Sequence, residues 1–590
     1  MKIIGWSGFE NAMAFKQEQF PGLDLREYRI VQGQDSAAAL IVDGEIVAAA
    51  AEERFNGQKH SGAFPVGAIR YCCAEAGIDV RDVDAFVHAF DYGAYRVHHS
   101  RSQLAKLRYQ QVYSRDALLG LFERSLPEVE NREAKVHHLE HHIAHAASAY
   151  YTSGWDECLV GVLDGMGEVH SITLWHARDG KMEAINKQSA DNSLGVLYSL
   201  VTLHLGFDFN SDEYKIMGLA PYGDPAKYRG FFDEHVELLD NGTLRIQILS
   251  LNKTADQREI YAATRDYLTE HLIAPRDPDE DITDAHRDVA AALQECLNKA
   301  IHHIGSHFAG TTGLRRLAMA GGVALNCTAN GKLLDAKTFD EIYVQPAAAD
   351  DGAGLGAALA HAASHDRIDN QRMVVPFLGP AYEASELERE IERHGDSIEV
   401  ERFGSFAETC AAAAKCIAEG KVIAWFRGRM EFGPRALGNR SILADPGNPE
   451  MRDRVNAMVK MREAFRPFAP AVTLETAHEW FEIEPGTELP YMIFIVRVRE
   501  AHREALPAIT HVDGTARVQT VAAETNPEFH ALLKQVGQTT GREMVLNTSF
   551  NVKGQPMVNT PKEAIDTFLG TGIDILFLGD NAIRRASAKT

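Results

Sequence analysis

Two apolar runs along residues 37–51 meet at Asp43-Gly44, the composition of a tight hairpin turn. The pattern returns at residues 158–165, followed by apolar residues 171–175, a turn dipeptide Asp179-Gly180 and residues 182–185. Two halves that each open with a hairpin and carry an aspartate beside it, Asp35 and Asp164, predict a duplicated α/β domain. Farther on, the spacing predicts a helix over 288–308, a strand over 317–320 running into Gly321-Gly322, and a glycine-alanine helix starting at 351. From about residue 365 to 381 the pattern lapses into polar residues and prolines. A boundary there divides the chain into residues 1–372 and 373–590. The second part resumes with helices near 383–394 and 406–419 and a strand at 422–426.

Composition changes the picture in three ways. At 590 residues the chain exceeds one hydrophobic core, as the boundary already implies. A formal charge of −23 disfavours a general nucleic-acid or membrane-surface binder, because polyanions repel such a surface. Residues 1–6 lack the apolar region of a signal peptide, and no run of about 18 apolar residues would span a bilayer. A soluble, cytoplasmic protein is the expectation. Seven cysteines without a Cys-x-x-Cys pair fit buried small apolar residues in a reducing compartment, not a disulfide framework or zinc ribbon.

Against the acidic background, residues 426–440 (FRGRMEFGPRALGNR) gather guanidinium groups among glycines, and Lys460, Arg462 and Arg466 follow. Arginine grips phosphate oxygens two at a time with a rigid planar fork, so this segment predicts a nucleotide site. Arg517 within HVDGTAR (511–517) adds a further guanidinium, and NTSFN (547–551) supplies hydroxyl and amide groups for phosphate or adenine. A solvated charged face would mix lysine with glutamate at helical spacing; here glycine, proline and aromatics interrupt the arginines.

Residues 136–145 (VHHLEHHIAH) are rich in histidine. Histidines four apart on a helix share a face and can hold one metal ion; the pairs His137/His141, His138/His142 and His141/His145 all satisfy that spacing. Spacing leaves the register open, and a solvated polar helix start is the plain alternative. No His-Glu-x-x-His metalloprotease sequence occurs. Acidic residues followed by glycine stand at DGMGE (164–168) and DDG (350–352); each reads as a simple turn or as a carboxylate able to complete a metal site. GGVALN (321–326) either admits a phosphate to backbone N–H groups or packs a strand closely on a helix. Lys215 before MGLAPYG pairs with a phosphate or caps a turn.

Taken together these segments resemble the O-carbamoyltransferases of antibiotic and nodulation-factor biosynthesis over nearly the whole chain. The matching stretches are residues 37–55 with Lys59-His60, 141–148, 164–168, 215–223, 321–327, 345–350 and 428–470. The resemblance implies an actin-like, sugar-kinase-type domain (the ASKHA class) at residues 1–372 joined to a YrdC-like α/β domain at 373–590. It implies that carbamoyl phosphate and ATP, carried with Mg2+, form carbamoyl-adenylate in the second domain. The carbamoyl group then passes in the first domain to a hydroxyl of a small-molecule acceptor, releasing AMP. Carried over residue by residue, the nucleotide set is Lys460, Arg462, Ser549 and Asn551, with Arg435, Arg466 and Arg517 as phosphate contacts and Lys215, Gly321, Gly322 and Asn326 in the first domain. Arg435, Lys460 and Arg462 would also be catalytic. The metal set is His141, His145, Asp164 and Asp350, holding Fe2+ foremost, with Zn2+, Co2+ or Mn2+ sharing the ligand type.

One departure concerns proton transfer. Family members commonly read His-Asp-Ser before the first hairpin, where the histidine takes the acceptor's proton; here Gln34, Asp35 and Ser36 stand. Glutamine is not a base at neutral pH, so Asp35 or another residue must serve, or the acceptor is already nucleophilic. The region between Phe9 and Val31 reads as an insertion that shapes the acceptor pocket. Rival readings are a carbamoyl transferase acting on a thiol, a threonylcarbamoyl transferase acting on tRNA, and an ATP-binding regulator. The thiol family carries Cys-x-x-Cys pairs and an acylphosphatase-like start that this sequence lacks, and the acidic surface disfavours tRNA. Neither nucleic acid nor membrane is expected as a partner, and oligomeric state, a homodimer included, has no sequence signal.

Overall fold

The computed structural model describes residues 1–100, 102–366, 368, 370–373, 375–460, 463 and 465–586. They divide into two compact units, residues 1–56 with 60–373 and residues 57–59 with 374–590.

The first unit contains two five-stranded sheets. Strands β1 (Lys2–Trp6), β2 (Ala37–Val42), β3 (Glu45–Ala51), β4 (Ala85–His88) and β5 (Val136–His138) lie in the order β3-β2-β1-β4-β5. Strands β6 (Glu157–Leu163), β7 (His170–Arg178) and β8 (Lys181–Ser189) precede a small ribbon of β9 (Val236–Leu238) and β10 (Leu244–Ile246). With β11 (Arg316–Ala320) and β12 (Glu341–Val344) they form the second sheet, ordered β12-β11-β6-β7-β8. Each sheet runs two antiparallel hairpin strands off its first strand and two parallel strands on the other side. The chain therefore repeats one topology, the duplicated actin-like α/β arrangement expected from the sequence.

The equivalence differs from the one the hairpins predicted. The Asp43-Gly44 turn, with φ of 51° and 90°, corresponds to Asp179-Gly180, with φ of 51° and 78°; both pairs adopt the left-handed values a two-residue hairpin needs. Asp164 instead opens the connection after β6, whereas Asp35 closes the much longer connection, residues 7–36, after β1. That longer connection contains the helices Glu10–Gln19 and Leu25–Tyr28.

The helix predicted over 288–308 runs Asp284–Thr312, entered through Thr283 and His286 as a capping box and ended by Gly313 at φ 74°. Helix Asp350–His365 lies against the first sheet because its contact face is glycine. A Cβ on Gly5 would stand 1.9 Å from the Gly354 carbonyl oxygen, and one on Gly354 would meet Trp6 Cα at 3.1 Å and the Ala37 oxygen at 3.3 Å. On its other side, a Cβ on Gly356 would fall 1.8 Å from the Ala144 oxygen of helix His141–Tyr151. Small residues bring these two helices nearly into backbone contact, and so bring Asp350 to the histidines.

The second unit is built on strands β13 (Ile398–Arg402), β14 (Ile423–Phe426), β15 (Arg440–Ala444), β16 (Ala469–Thr473), β17 (Ile495–Arg497), β18 (Thr515–Arg517), β19 (Gln519–Val521), β20 (Met544–Ser549), β21 (Ile575–Leu578) and β22 (Asn581–Arg585). Eight of them form one mixed sheet ordered β13-β22-β21-β14-β15-β20-β16-β19, and β17 pairs with β18 separately. Helices Phe406–Ala418 and Pro527–Thr540 cover one face, burying Trp425, Leu443, Val545 and Phe577. Among the described residues no helix is long and apolar enough to cross a membrane.

Candidate active site

Of the three histidine pairs the spacing allowed, only one shares a helix. His137 and His138 belong to β5, and the helix begins at His141. The His137/His141 and His138/His142 registers therefore fail, because a strand does not repeat its face every fourth residue as a helix does. Helix His141–Tyr151 is anchored by Glu168, whose Oε1 accepts the His141 N–H at 2.9 Å and the Asp91 N–H at 2.7 Å.

The remaining pair converges with two distant carboxylates. His141 Nε2 lies 3.0 Å from His145 Nε2, 3.6 Å from Asp164 Oδ2 and 3.3 Å from Asp350 Oδ1, and His145 Nε2 lies 3.6 Å from the same Asp350 oxygen. Both imidazoles are fully buried. His141 Nδ1 donates to the Ala89 carbonyl at 3.1 Å, which leaves the Nε2 lone pair directed into the cluster. Phe90 stacks on that ring at 3.9 Å and holds its orientation. Asp164 Oδ1 accepts the Gly322 N–H at 3.0 Å.

Electrostatically the pocket favours a positive centre. Burial opposes a charge on the His141 ring, but the carboxylates of Asp350 and Asp164 outweigh it and hold its pKa well above the usual imidazole value. Burial likewise works against ionised Asp164 and Asp350, yet the histidines draw both carboxyls below their ordinary range. His142, facing the Thr173 hydroxyl at 3.0 Å, is held neutral by burial. Two imidazole nitrogens and two carboxylate oxygens, all within 4.8 Å of one another, fit a borderline divalent metal: the facing Nε2 lone pairs need a cation or a shared proton between them.

The glycine pair Gly321-Gly322 serves this cluster. Gly321 adopts φ 95°, and a Cβ there would stand 2.3 Å from the Leu163 oxygen, so only glycine brings the Gly322 N–H onto Asp164. Asn326 caps helix Cys327–Ala336 through the Ala329 N–H at 2.9 Å and exchanges amide hydrogen bonds with Gln294. Lys215 pairs with Asp212 Oδ2 at 2.8 Å beside the Phe207 ring.

Asp35 is paired with a residue that sequence reasoning assigned no role: its Oδ1 lies 2.7 Å from His60 Nδ1. His60, Glu53 and Asp35 form a second group of three potential ligands. The only hint in the sequence was the Lys59-His60 dipeptide within the resemblance.

In the second unit, Lys460, Ser549 and Asn551 meet. The Lys460 ammonium donates to the Ser549 carbonyl at 2.6 Å and hydroxyl at 3.1 Å and to the Asn551 carbonyl at 3.0 Å and side-chain oxygen at 2.6 Å. The Ser549 hydroxyl donates to Asn551 Oδ1 at 2.7 Å. Arg435 is half-buried in the loop after Glu431, Arg466 approaches Glu463 at 3.5 Å, and Arg517 ends β18. Arg462 lies outside the described residues.

Three of the four arginines in residues 426–440 make contacts within the unit. Arg427 pairs with Asp580 and Glu528 at 2.9 and 2.8 Å, and Arg429 donates to the Leu378 carbonyl at 2.8 Å. Arg440 is fully buried, donates to the carbonyls of Arg427 and Pro380 at 2.9 and 3.0 Å, and covers the Phe426 ring at 3.7 Å. These three guanidinium groups hold the loop. Glu431, missed in the sequence, organises it further: its Oε1 accepts the N–H groups of Leu437, Asn439 and Arg440 at 2.8, 2.9 and 3.2 Å.

The first unit thus carries the His2Asp2 cluster on a duplicated α/β fold, and the second carries the lysine-serine-asparagine cluster. Residues 30–359 match the family model Carbamoyltransferase N-terminus and residues 414–585 match Carbamoyltransferase C-terminus, and the chain belongs to the carbamoyltransferase family. Nodulation protein NolNO of Sinorhizobium fredii is 39% identical over 94% of this chain and 79% of its own length. Nodulation protein NolO of Bradyrhizobium diazoefficiens is 43% identical over 76% of this chain and 79% of its own. The 3'-hydroxymethylcephem-O-carbamoyltransferase of Streptomyces clavuligerus is 36% identical over 46% of this chain and 49% of its own.

Proposed function

We propose that this carbamoyltransferase acts on a hydroxyl of a small-molecule natural product, with ATP and carbamoyl phosphate as co-substrates. The observation that carries the reading is the meeting of the buried Lys460 ammonium with Ser549 and Asn551, 89 and 91 residues further along the chain, in the second unit. The similarity to an enzyme named for O-carbamoyl transfer supports the class of acceptor.

The chemistry balances in two stages. Carbamoyl phosphate gives up its phosphate to water, leaving carbamate, whose oxygen attacks the α-phosphorus of ATP as pyrophosphate departs. Lys460, with Arg435, Arg466 and Arg517, offsets the charge that two polyanions bring together, while Ser549 and Asn551 orient the ammonium. The acceptor oxygen then attacks the carbamoyl carbon and AMP leaves, a better leaving group than the oxygen of carbamate itself. His141, His145, Asp164 and Asp350 would hold the divalent cation, Fe2+ foremost, whose positive charge stabilises the carbamoyl oxygen or the adenylate phosphate when bound.

Exchange of labelled pyrophosphate into ATP, measured with and without carbamoyl phosphate, tests the first stage. Exchange is expected only with the donor present, and Lys460→Ala is expected to lower it about 10²–10³-fold. Wild-type exchange that ignores carbamoyl phosphate, or no exchange at all, would overturn the reading.

A further inference from the structure

Gln34 carries no base at neutral pH, and its side chain is occupied. Buried at 5% exposure, its Nε2 donates to the Arg29 carbonyl at 3.3 Å and its Oε1 accepts from Arg29 Nη2 at 3.2 Å. The residue beside it points elsewhere. Asp35 Oδ1 meets His60 Nδ1 at 2.7 Å, and His60 Nε2, itself a buried atom, has no hydrogen-bond partner among the described residues.

The pair is held in place from several sides. Asp35 and His60 both adopt left-handed backbone, at φ 55° and 56°, conformations that are sparsely populated for non-glycine residues and gather at functional sites. The Ser36 N–H donates to the Ser61 carbonyl at 2.8 Å, joining the two loops, and the His60 N–H donates to Glu53 Oε2 at 2.8 Å. The loop also adjoins the His2Asp2 cluster. Gln32 Nε2 donates to the carbonyls of Met166 and Gly167 at 2.6 and 2.8 Å, in the segment that begins with Asp164. Ala37, two residues beyond Asp35, touches Gly354, one helical turn after Asp350.

We propose that His60 is the proton acceptor for the attacking hydroxyl, with Asp35 as its positioning residue; this rests on the carbamoyl-transfer reading. Asp35 accepts the Nδ1 proton and so leaves the Nε2 lone pair available. As the acceptor oxygen bonds to the carbamoyl carbon, its proton passes to His60 Nε2, and the electrons of the breaking bond leave with AMP. A histidine from the segment after the hairpin thereby supplies the base.

The test separates the two stages. Carbamoyl-phosphate-dependent pyrophosphate exchange reports the second unit, and carbamoyl gain by an accepted alcohol, read by mass spectrometry, reports transfer. His60→Ala is expected to retain exchange and lose transfer about 10²–10⁴-fold, and added imidazole should restore part of it in His60→Gly. Asp35→Asn is expected to lower kcat for transfer with exchange and KM for the alcohol little changed, and Asp35→Glu should restore part of it, a split that a packing role would not produce. Transfer at the wild-type rate in His60→Ala overturns the proposal. So does metal analysis showing a second bound cation that disappears in His60→Ala, because Asp35, Glu53 and His60 would then be ligands. Failure of wild-type exchange is a separate result: it removes the carbamoyl-transfer reading and this proposal with it.

Discussion

The Nε2 atoms of His141 and His145 face each other across 3.0 Å, with the carboxylates of Asp164 and Asp350 closing the same buried space. Two ring nitrogens so placed need a proton or a cation between them, and a bound divalent cation satisfies both. The purified chain is expected to carry about one equivalent of divalent metal, to melt at a lower temperature after chelation, and to lose the metal in His145→Ala. Metal analysis with thermal melting checks this; equal melting with and without chelator would count against the site.

The approach of helix Asp350–His365 to helix His141–Tyr151 depends on Gly356, where an added Cβ would stand 1.8 Å from the Ala144 oxygen. Gly356→Ala must push the helices apart and carry Asp350 away from the imidazoles. The variant is expected to lose about 1–3 kcal/mol in urea unfolding and to bind metal more weakly. Unchanged metal affinity would show that the helix spacing does not set the cluster.

Glu52 links stability to pH. It is 4% exposed, and burial pushes its carboxyl from 4.5 to about 7, although it accepts the Gly67 and Ala68 N–H groups at 3.2 and 2.8 Å. The folded chain thus holds this proton more tightly than the unfolded chain. Its contribution is fully present below pH 4.5 and is lost as pH rises through about 7. Denaturant unfolding across that window should show a Glu52 component of a few kcal/mol at most, at about 1.4 kcal/mol per pKa unit, that is absent in Glu52→Gln. The same slope in both proteins would rule it out.

Glu431 ties three backbone N–H groups of the loop that carries Arg435. Glu431→Ala is expected to speed hydrogen exchange at the Leu437, Asn439 and Arg440 amides and to raise KM for ATP or carbamoyl phosphate about tenfold, the loss of charge-assisted hydrogen bonds. Glu431→Gln retains an acceptor oxygen and should change both far less. Exchange at the wild-type rate in the alanine variant would contradict the assigned anchoring.

Local pattern made much of the first unit legible. Asp43-Gly44 and Asp179-Gly180 marked real hairpins because a two-residue turn demands residues that tolerate positive φ. The helices beginning near 284 and 350 and the strand ending at Gly321 were readable from apolar spacing and small residues. Histidine spacing named three possible pairs but not the helix start, since residues 136–138 owe their strand to β4, a neighbour far away in sequence.

Sequence by itself determined the repeated α/β pattern, the histidine-rich segment and the residue types available for phosphate and metal chemistry, because these follow from periodicity and side-chain chemistry within a few residues. Tertiary structure alone decided that His141 and His145 meet Asp164 and Asp350 and that Lys460 lies on Ser549 and Asn551. It also decided that Arg427, Arg429 and Arg440 brace a loop and that Asp35 turns to His60. Each of those outcomes depends on which distant backbones approach closely enough to satisfy a buried charge, and glycine contacts such as Gly356 on Ala144 set that approach only once the whole chain has packed.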